Sequence, residues 1–178
     1  MMTTSKTIAV YGSSAVSQDS DIAAQAERIG YQLASVGFRV SNGGYMGVME
    51  ACSRGARNAG GEVVGVTCAM FRDRSPNTHL TEELKTMDLN ERIVTLMRIS
   101  DAYVVLDGAI GTFAELFLAW NLVYMGWDKP IIVVGEPMRR AITALEEHTE
   151  IDQRQMKYIE FAPDIDDAVN RLRARFGI

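Results

Sequence analysis

Three short segments of this 178-residue chain place glycines beside hydroxyl or amide side chains: Gly12-Ser13-Ser14, Asn42-Gly43-Gly44 with Gly47, and Gly108-Ala109 with Gly111-Thr112. Glycine lets a backbone approach a ligand closely and take positive φ angles. Where such a segment opens a helix, the first amide groups have no intrahelical acceptor, and the helix dipole favours an anion there. The hydroxyls of Ser13, Ser14 and Thr112 add donors. A phosphorylated small molecule fits such a place. Any one of these turns is equally what a tight strand-to-helix connection needs, but three together point to phosphate. None is a G-x-G-x-x-G and none is a P-loop, so NAD and ATP have no specific support.

Two charged residues accompany the turns. Glu115 lies three residues after Thr112 and therefore on the same helix face. A carboxylate there can act as an acid, a base or an electrostatic partner of a developing cation. It can equally do no more than complement the helix dipole. Arg92 can reach a ligand phosphate, pair with Glu115, or remain a solvated cation beside Asp88, four residues earlier. His79 and His148 lie far apart, and Cys52 and Cys68 have neither zinc spacing nor a disulfide framework. No metal and no cofactor are expected, and both cysteines read as small buried hydrophobes.

These residues must be held by an alternating series of elements. Apolar runs predict strands over 7–11, 38–41, 62–67, 84–87, 102–106, 130–134 and 158–161. Apolar residues at three- and four-residue spacing predict helices over 19–36, 46–58, 90–99, 112–124, 137–147 and 165–176. Such alternation with near-continuous apolar strands means an α/β fold: a Rossmann-like, doubly wound parallel sheet with helices on both faces. Ligands of such sheets bind at the carboxyl edge, near the point where strand order reverses. Residues 68–81 are irregular and are expected to cover that edge. The helix over 112–124 is apolar nearly all round, so one face belongs on the sheet and another against a second copy of the chain.

Composition narrows the classes. The length suits a single domain spanning residues 1–178, with 47% hydrophobic and 23% charged residues. Net charge is −5 and the pI about 5.1, which speaks against a nucleic-acid partner. No apolar run approaches the roughly 20 residues of a membrane span. The polar start, 1–6, and the brief apolar run after it do not make a signal peptide, so a cytoplasmic location is expected.

Taken together, these segments resemble the LOG-like family, long labelled "lysine decarboxylase", whose characterised members are cytokinin riboside 5′-monophosphate phosphoribohydrolases. VYGSS at 10–14 is similar to the family's first strand and turn, and NGGYMGVMEACSRGA at 42–56 to its G-G-G-x-x-G-[LIV]-M segment. SDAYVVLDGAIGTFAELFLAWN at 100–121 is similar to the segment carrying P-G-G-x-G-T-x-x-E, and WDKPIIVV at 127–134 to the following strand. The resemblance implies hydrolysis of the N-glycosidic bond of a nucleoside 5′-monophosphate, giving a free base and ribose 5-phosphate. It makes Glu115 and Arg92 the catalytic residues, with Gly108, Ala109, Gly111 and Thr112 on the phosphate. Gly12, Ser13, Ser14, Gly43, Gly44 and Gly47 would be further ligand contacts, in a homodimer or higher oligomer.

Four positions depart from the family pattern. Asp107 replaces the proline of P-G-G, Ala109 its second glycine, Ile93 the lysine after the arginine, and Asn42 the first glycine of G-G-G. An aspartate beside a phosphate cradle opposes the anion unless it faces away or is paired. The alternative function is therefore a non-catalytic nucleotide- or metabolite-binding protein on the same fold. A partner-binding scaffold without a small ligand is the third. True lysine decarboxylation is disfavoured, since no convincing lysine for a Schiff base sits in a turn, with Lys85 and Lys129 the residual candidates.

Overall fold

The apolar runs assemble into one seven-stranded, all-parallel sheet in the order β4-β3-β2-β1-β5-β6-β7. The computed structural model describes residues 5–178; Met1 to Thr4, most of the polar start, lie outside the described residues. The strands are β1 (Thr7–Tyr11), β2 (Arg39–Asn42), β3 (Val63–Cys68), β4 (Glu82–Thr86), β5 (Ala102–Val105), β6 (Ile131–Val134) and β7 (Ile159–Ala162). The helices are α1 (Asp21–Ser35), α2 (Val48–Asn58), α3 (Leu89–Ile99), α4 (Ile110–Tyr124), α5 (Glu136–His148), α6 (Gln153–Met156) and α7 (Ile165–Phe176). The chain winds outward from β1 to β4, then returns to lay β5 on the other side of β1. Strand order thus reverses between β1 and β5, opening a crevice at their carboxyl ends.

Both faces of each central strand are buried, which is why these strands read as continuous apolar runs. Ile8, Val10, Val104 and Ile132 face a core shared with α1, α2 and α7. Ala9, Tyr11, Tyr103, Val105 and Ile131 face a second core under α3, α4 and α5.

Element ends differ from expectation where a cap or a glycine decides them. Ser20 caps α1, accepting from the Ala23 amide, so the helix begins at Asp21 and not at 19. Gly47 has φ +70°, which no helix interior allows, so α2 begins at Val48 and not at 46. Helix α4 starts two residues earlier than expected, at Ile110. The four-residue α6 was absent from the expectation. It is closed by a capping box between Asp152 and Gln155 and is too short to show a period.

Helices α1 and α2 cross at two glycines. A Cβ on Gly30 would lie 2.0 Å from the Cys52 carbonyl oxygen, and one on Gly55 would lie 1.9 Å from that of Glu27. Alanine would raise helix propensity by about 1 kcal/mol. The overlap is with backbone and cannot be relieved by a side-chain rotation, so the helices must separate. Gly55→Ala is expected to lower stability by about 1–3 kcal/mol, read from the urea midpoint. A midpoint equal to or above the parent's would mean that the crossing tolerates separation.

Candidate functional site

The site begins with two turns tied to one another. The Ser13 amide donates to the Asp107 carbonyl at 3.2 Å, and the Ser13 carbonyl accepts from the Val48 amide at 2.9 Å. The turn after β1 is thereby fixed to the turn after β5 and to the start of α2. Gly47 makes this closeness possible, and Gly108 makes room for Thr112 within its own turn. A Cβ on Gly47 would sit 2.6 Å from the Ser13 carbonyl oxygen, and one on Gly108 would sit 2.1 Å from Thr112 Oγ1.

The N-terminus of α4 is left open towards this crevice. Ser20, Asp88, Asp152 and Asp164 cap α1, α3, α6 and α7 with their side chains. Ala109, the N-cap of α4, supplies no side-chain acceptor, and the first intrahelical bond is from Phe113 to the Ala109 carbonyl. The amides of Ile110, Gly111 and Thr112 therefore await a ligand or solvent. Ala109 has φ −112°, an ordinary conformation for alanine, so replacing glycine there strains nothing.

Asp107 does not face the opening. Its Oδ1 accepts from the Met138 amide at 3.1 Å, in the first turn of α5, whose own N-cap, Gly135, offers no side chain. The carboxylate thus caps a neighbouring helix and does not line the cavity. Asn42 is fully buried. Its Nδ2 donates to Met49 O and Ser53 Oγ, and its Oδ1 accepts from the Gly44 amide, knitting the β2 turn to α2.

At the centre lie Arg92 and Glu115, with side chains only 8% and 12% exposed and Nη1 3.6 Å from Oε1. Arg92 pairs with Glu115 and not with Asp88, which is occupied as the α3 cap. Its Nε donates to Val66 O at 2.8 Å and its Nη2 to Gly43 O at 3.2 Å. A Cβ on Gly43 would lie 1.7 Å from Nη2, so this glycine makes room for the guanidinium. The rings of Tyr45 and Phe71 flank it, 5.6 and 5.9 Å from Cζ. Burial pushes the Glu115 carboxyl up to about 7, while the Arg92 charge pulls it down. A carboxyl balanced near neutrality can hold or accept a proton.

A cavity of about 340 Å³ joins these parts. It brings together Gly12, Ser13, Ser14, Ala109, Gly111, Thr112, Arg92 and Glu115 from the sequence reading. Gly43, Gly44, Gly47 and Gly108 lie behind it, shaping the framework; they do not line it. Ile93 stands in the wall as an apolar side chain. Sequence reasoning missed Tyr45, Met49, Leu89 and Ile110 as wall residues. An aromatic directly after Gly44 was the available signal for Tyr45. Phe71 and Arg74 bring the irregular 69–80 segment to the rim, as expected of a covering loop. Lys129 lies before β6, at the sheet edge opposite the cavity, where its Nζ donates to Met97 O at the end of α3.

The SLOG cluster4 family (LDcluster4) matches residues 5–161. The chain belongs to that family. This SLOG cluster4 protein is 37% identical over 131 residues to a cytokinin riboside 5′-monophosphate phosphoribohydrolase of Mycobacterium tuberculosis, covering 72% of this chain and 70% of that one. The X-ray structure of the structural-genomics target TM1055 superposes with a TM-score of 0.79 at 31% identity, covering 95% and 99% of the two chains. The molybdenum cofactor binding protein of Rippkaea orientalis shares the fold, with a TM-score of 0.78 at 19% identity and coverage of 97% and 98%.

The raised Glu115 pKa makes a stability prediction. The folded state holds this proton more tightly than the unfolded chain, whose carboxyl titrates near 4.5. The stabilisation is complete below about pH 4.5, declines as pH rises, and is lost above about 7. Glu115→Gln lacks this loss. Its stability relative to the parent is expected to rise by on the order of 3 kcal/mol between pH 4.5 and 8, measured by urea unfolding. A difference that does not change with pH would contradict the placement of Glu115.

Proposed function

We propose that this chain is a nucleoside 5′-monophosphate phosphoribohydrolase. The observation that carries the reading is the buried Arg92–Glu115 pair, set in a cavity bounded by the open N-terminus of α4. The 5′-phosphate lies on the amides of Ile110, Gly111 and Thr112, with the Ser13 and Ser14 turn alongside. The ribose then faces Glu115. As the C1′–N bond breaks, positive charge grows on the sugar, and the Glu115 carboxylate stabilises it while orienting water. Water oxygen bonds to C1′. One of its hydrogens stays in the new hydroxyl and the other ends on the free base, relayed through Glu115.

Arg92 acts on this chemistry through Glu115. Its Nε and Nη2 donate to the Val66 and Gly43 carbonyls and its Nη1 stands 3.6 Å from Glu115 Oε1, which makes it a positioning residue first. It keeps part of the Glu115 population ionised at neutral pH. The second function read from the sequence, binding without turnover, loses one support, because Asp107 is turned to α5.

Ribose 5-phosphate is expected to appear when the protein meets a panel of nucleoside 5′-monophosphates, with kcat/KM rising through about pH 7 as Glu115 of the free protein ionises. Glu115→Gln is expected to lower kcat by roughly 10²- to 10⁴-fold. Arg92→Ala is expected to move the rising limb to higher pH as well as slow the reaction. Release that survives in Glu115→Gln would remove this residue from the mechanism. No release by the folded parent from any substrate would transfer the site to ligand carriage.

The protein is further proposed to act in the cytoplasm as a homodimer; among the described residues no helix is long and apolar enough to cross a membrane. Phe113, Phe117 and Trp120 stack in sequence along α4; Phe117 itself is exposed, as are Tyr124 and Met125 beyond it. Sedimentation equilibrium is expected to give twice the chain mass of 19.7 kDa, and Phe117→Asp to give the single mass. A parent that sediments as a monomer would leave this apolar face unexplained by self-association.

A further inference from the structure

A second, smaller cavity of about 140 Å³ lies beyond the Tyr45–Phe71 pair, under the 69–80 segment. Tyr45, Phe71 and Arg74 form a wall common to both cavities. The main cavity follows the ends of β5, β1 and β2, and the smaller one continues the same edge to β3 and β4. Three cations line it: Arg72, Arg74 and Lys85. Its one carboxylate, Glu83, accepts a hydrogen bond from Thr67 Oγ1.

Some cations of this chain, Arg28, Arg39, Arg54, Arg92 and Arg171 among them, stand against carboxylates; others, such as Arg57, Arg98 and Arg140, do not. Among the described residues, no carboxylate lies within ion-pair distance of Arg72, Arg74 or Lys85. Arg74 is held in place all the same. Its amide donates to the Phe71 carbonyl, and its guanidinium stacks 4.9 Å over the Phe71 ring, leaving the N–H edge free. Arg72, Arg74 and Lys85 are exposed and stand around the opening. With Glu83 counted the walls carry a net charge of +2, a field that favours an anion there. A cavity this small holds a tetrahedral oxyanion and not a nucleoside, and guanidinium edges match its oxygens in bidentate fashion.

We propose that this cavity is a second anion subsite that takes a phosphoryl group. The group is either free phosphate or a further phosphate carried by the ligand of the main cavity. The subsite shares only its aromatic wall and Arg74 with the Arg92–Glu115 centre, so it stands whether or not that centre hydrolyses nucleotides.

The test is calorimetric titration of the full chain with inorganic phosphate at low, matched ionic strength, in the parent and in an Arg72→Gln/Lys85→Gln variant. Neither substituted residue lines the main cavity. Two binding events are expected in the parent and one in the variant, with phosphate affinity at the lost site falling at least tenfold. Phosphate binding that is identical in the two proteins, or no phosphate binding in either, would overturn the proposal. Thermal unfolding of both proteins without phosphate checks that the variant folds. Should the double variant not fold, Lys85→Gln alone is titrated, and the same loss of one event is expected. Repeating the titration in protein saturated with adenosine 5′-monophosphate separates the sources. Phosphate that still binds assigns the subsite to the free anion. If it no longer binds, and adenosine 5′-diphosphate prefers the parent to the variant more than the monophosphate does, the subsite takes the ligand's second phosphate.

Discussion

The structure of the candidate site depends on one immobilised guanidinium. Arg92 reaches from α3 to the ends of β2 and β3, where the carbonyls of Gly43 and Val66 fix two of its donors. A cation so buried is costly unless each donor has a partner and a counter-charge is near. Glu115 supplies the counter-charge from α4. Several otherwise arbitrary features follow. Gly43 can carry no side chain because the guanidinium occupies that space. Tyr45 and Phe71 close over the cation with their ring faces. Glu115 keeps a carboxyl titrating near neutrality because burial and Arg92 pull against each other.

The second constraint is topological. Reversal of strand order between β1 and β5 lets the turns after these strands meet, through the Ser13 amide and the Asp107 carbonyl. Parallel strands deliver helix N-termini to this edge, yet most of those ends are already satisfied. Side chains cap α1 and α3, the Ser13 carbonyl takes the first amide of α2, and Asp107 takes an amide of α5. Helix α4 keeps the amides of Ile110, Gly111 and Thr112 open at the cavity, and it is also the helix that carries Glu115. Anion attraction and the titrating carboxylate are therefore one helical turn apart.

Much of this was legible in the sequence, for identifiable reasons. Central strands buried on both faces read as continuous apolar runs, and their positions were seen to within a residue. The edge strand β4, EELKT, carries charge instead of a core pattern and was read two residues late. Thr112 and Glu115 were assignable to one face by helical spacing, and the cavity joins them. Less was legible where a residue's meaning depends on a distant partner. A glycine that admits a ligand looks in sequence like one that clears room for another side chain, as Gly43 does for Arg92 and Gly108 for Thr112. The direction of the Asp107 side chain is set by the start of α5, some thirty residues on. The wall formed by Tyr45, Phe71 and Arg74 assembles turns whose proximity only the sheet order creates.

In the proposed function one nucleoside 5′-monophosphate places its phosphate at the start of α4 and its sugar at Glu115. The most direct measurement is a crystal structure of Glu115→Gln with a nucleoside 5′-monophosphate bound. Phosphate oxygens are expected within hydrogen-bond distance of the Gly111 and Thr112 amides, and C1′ is expected to face residue 115. A phosphate seated away from α4, or a sugar turned from residue 115 with the phosphate in place, would contradict that placement.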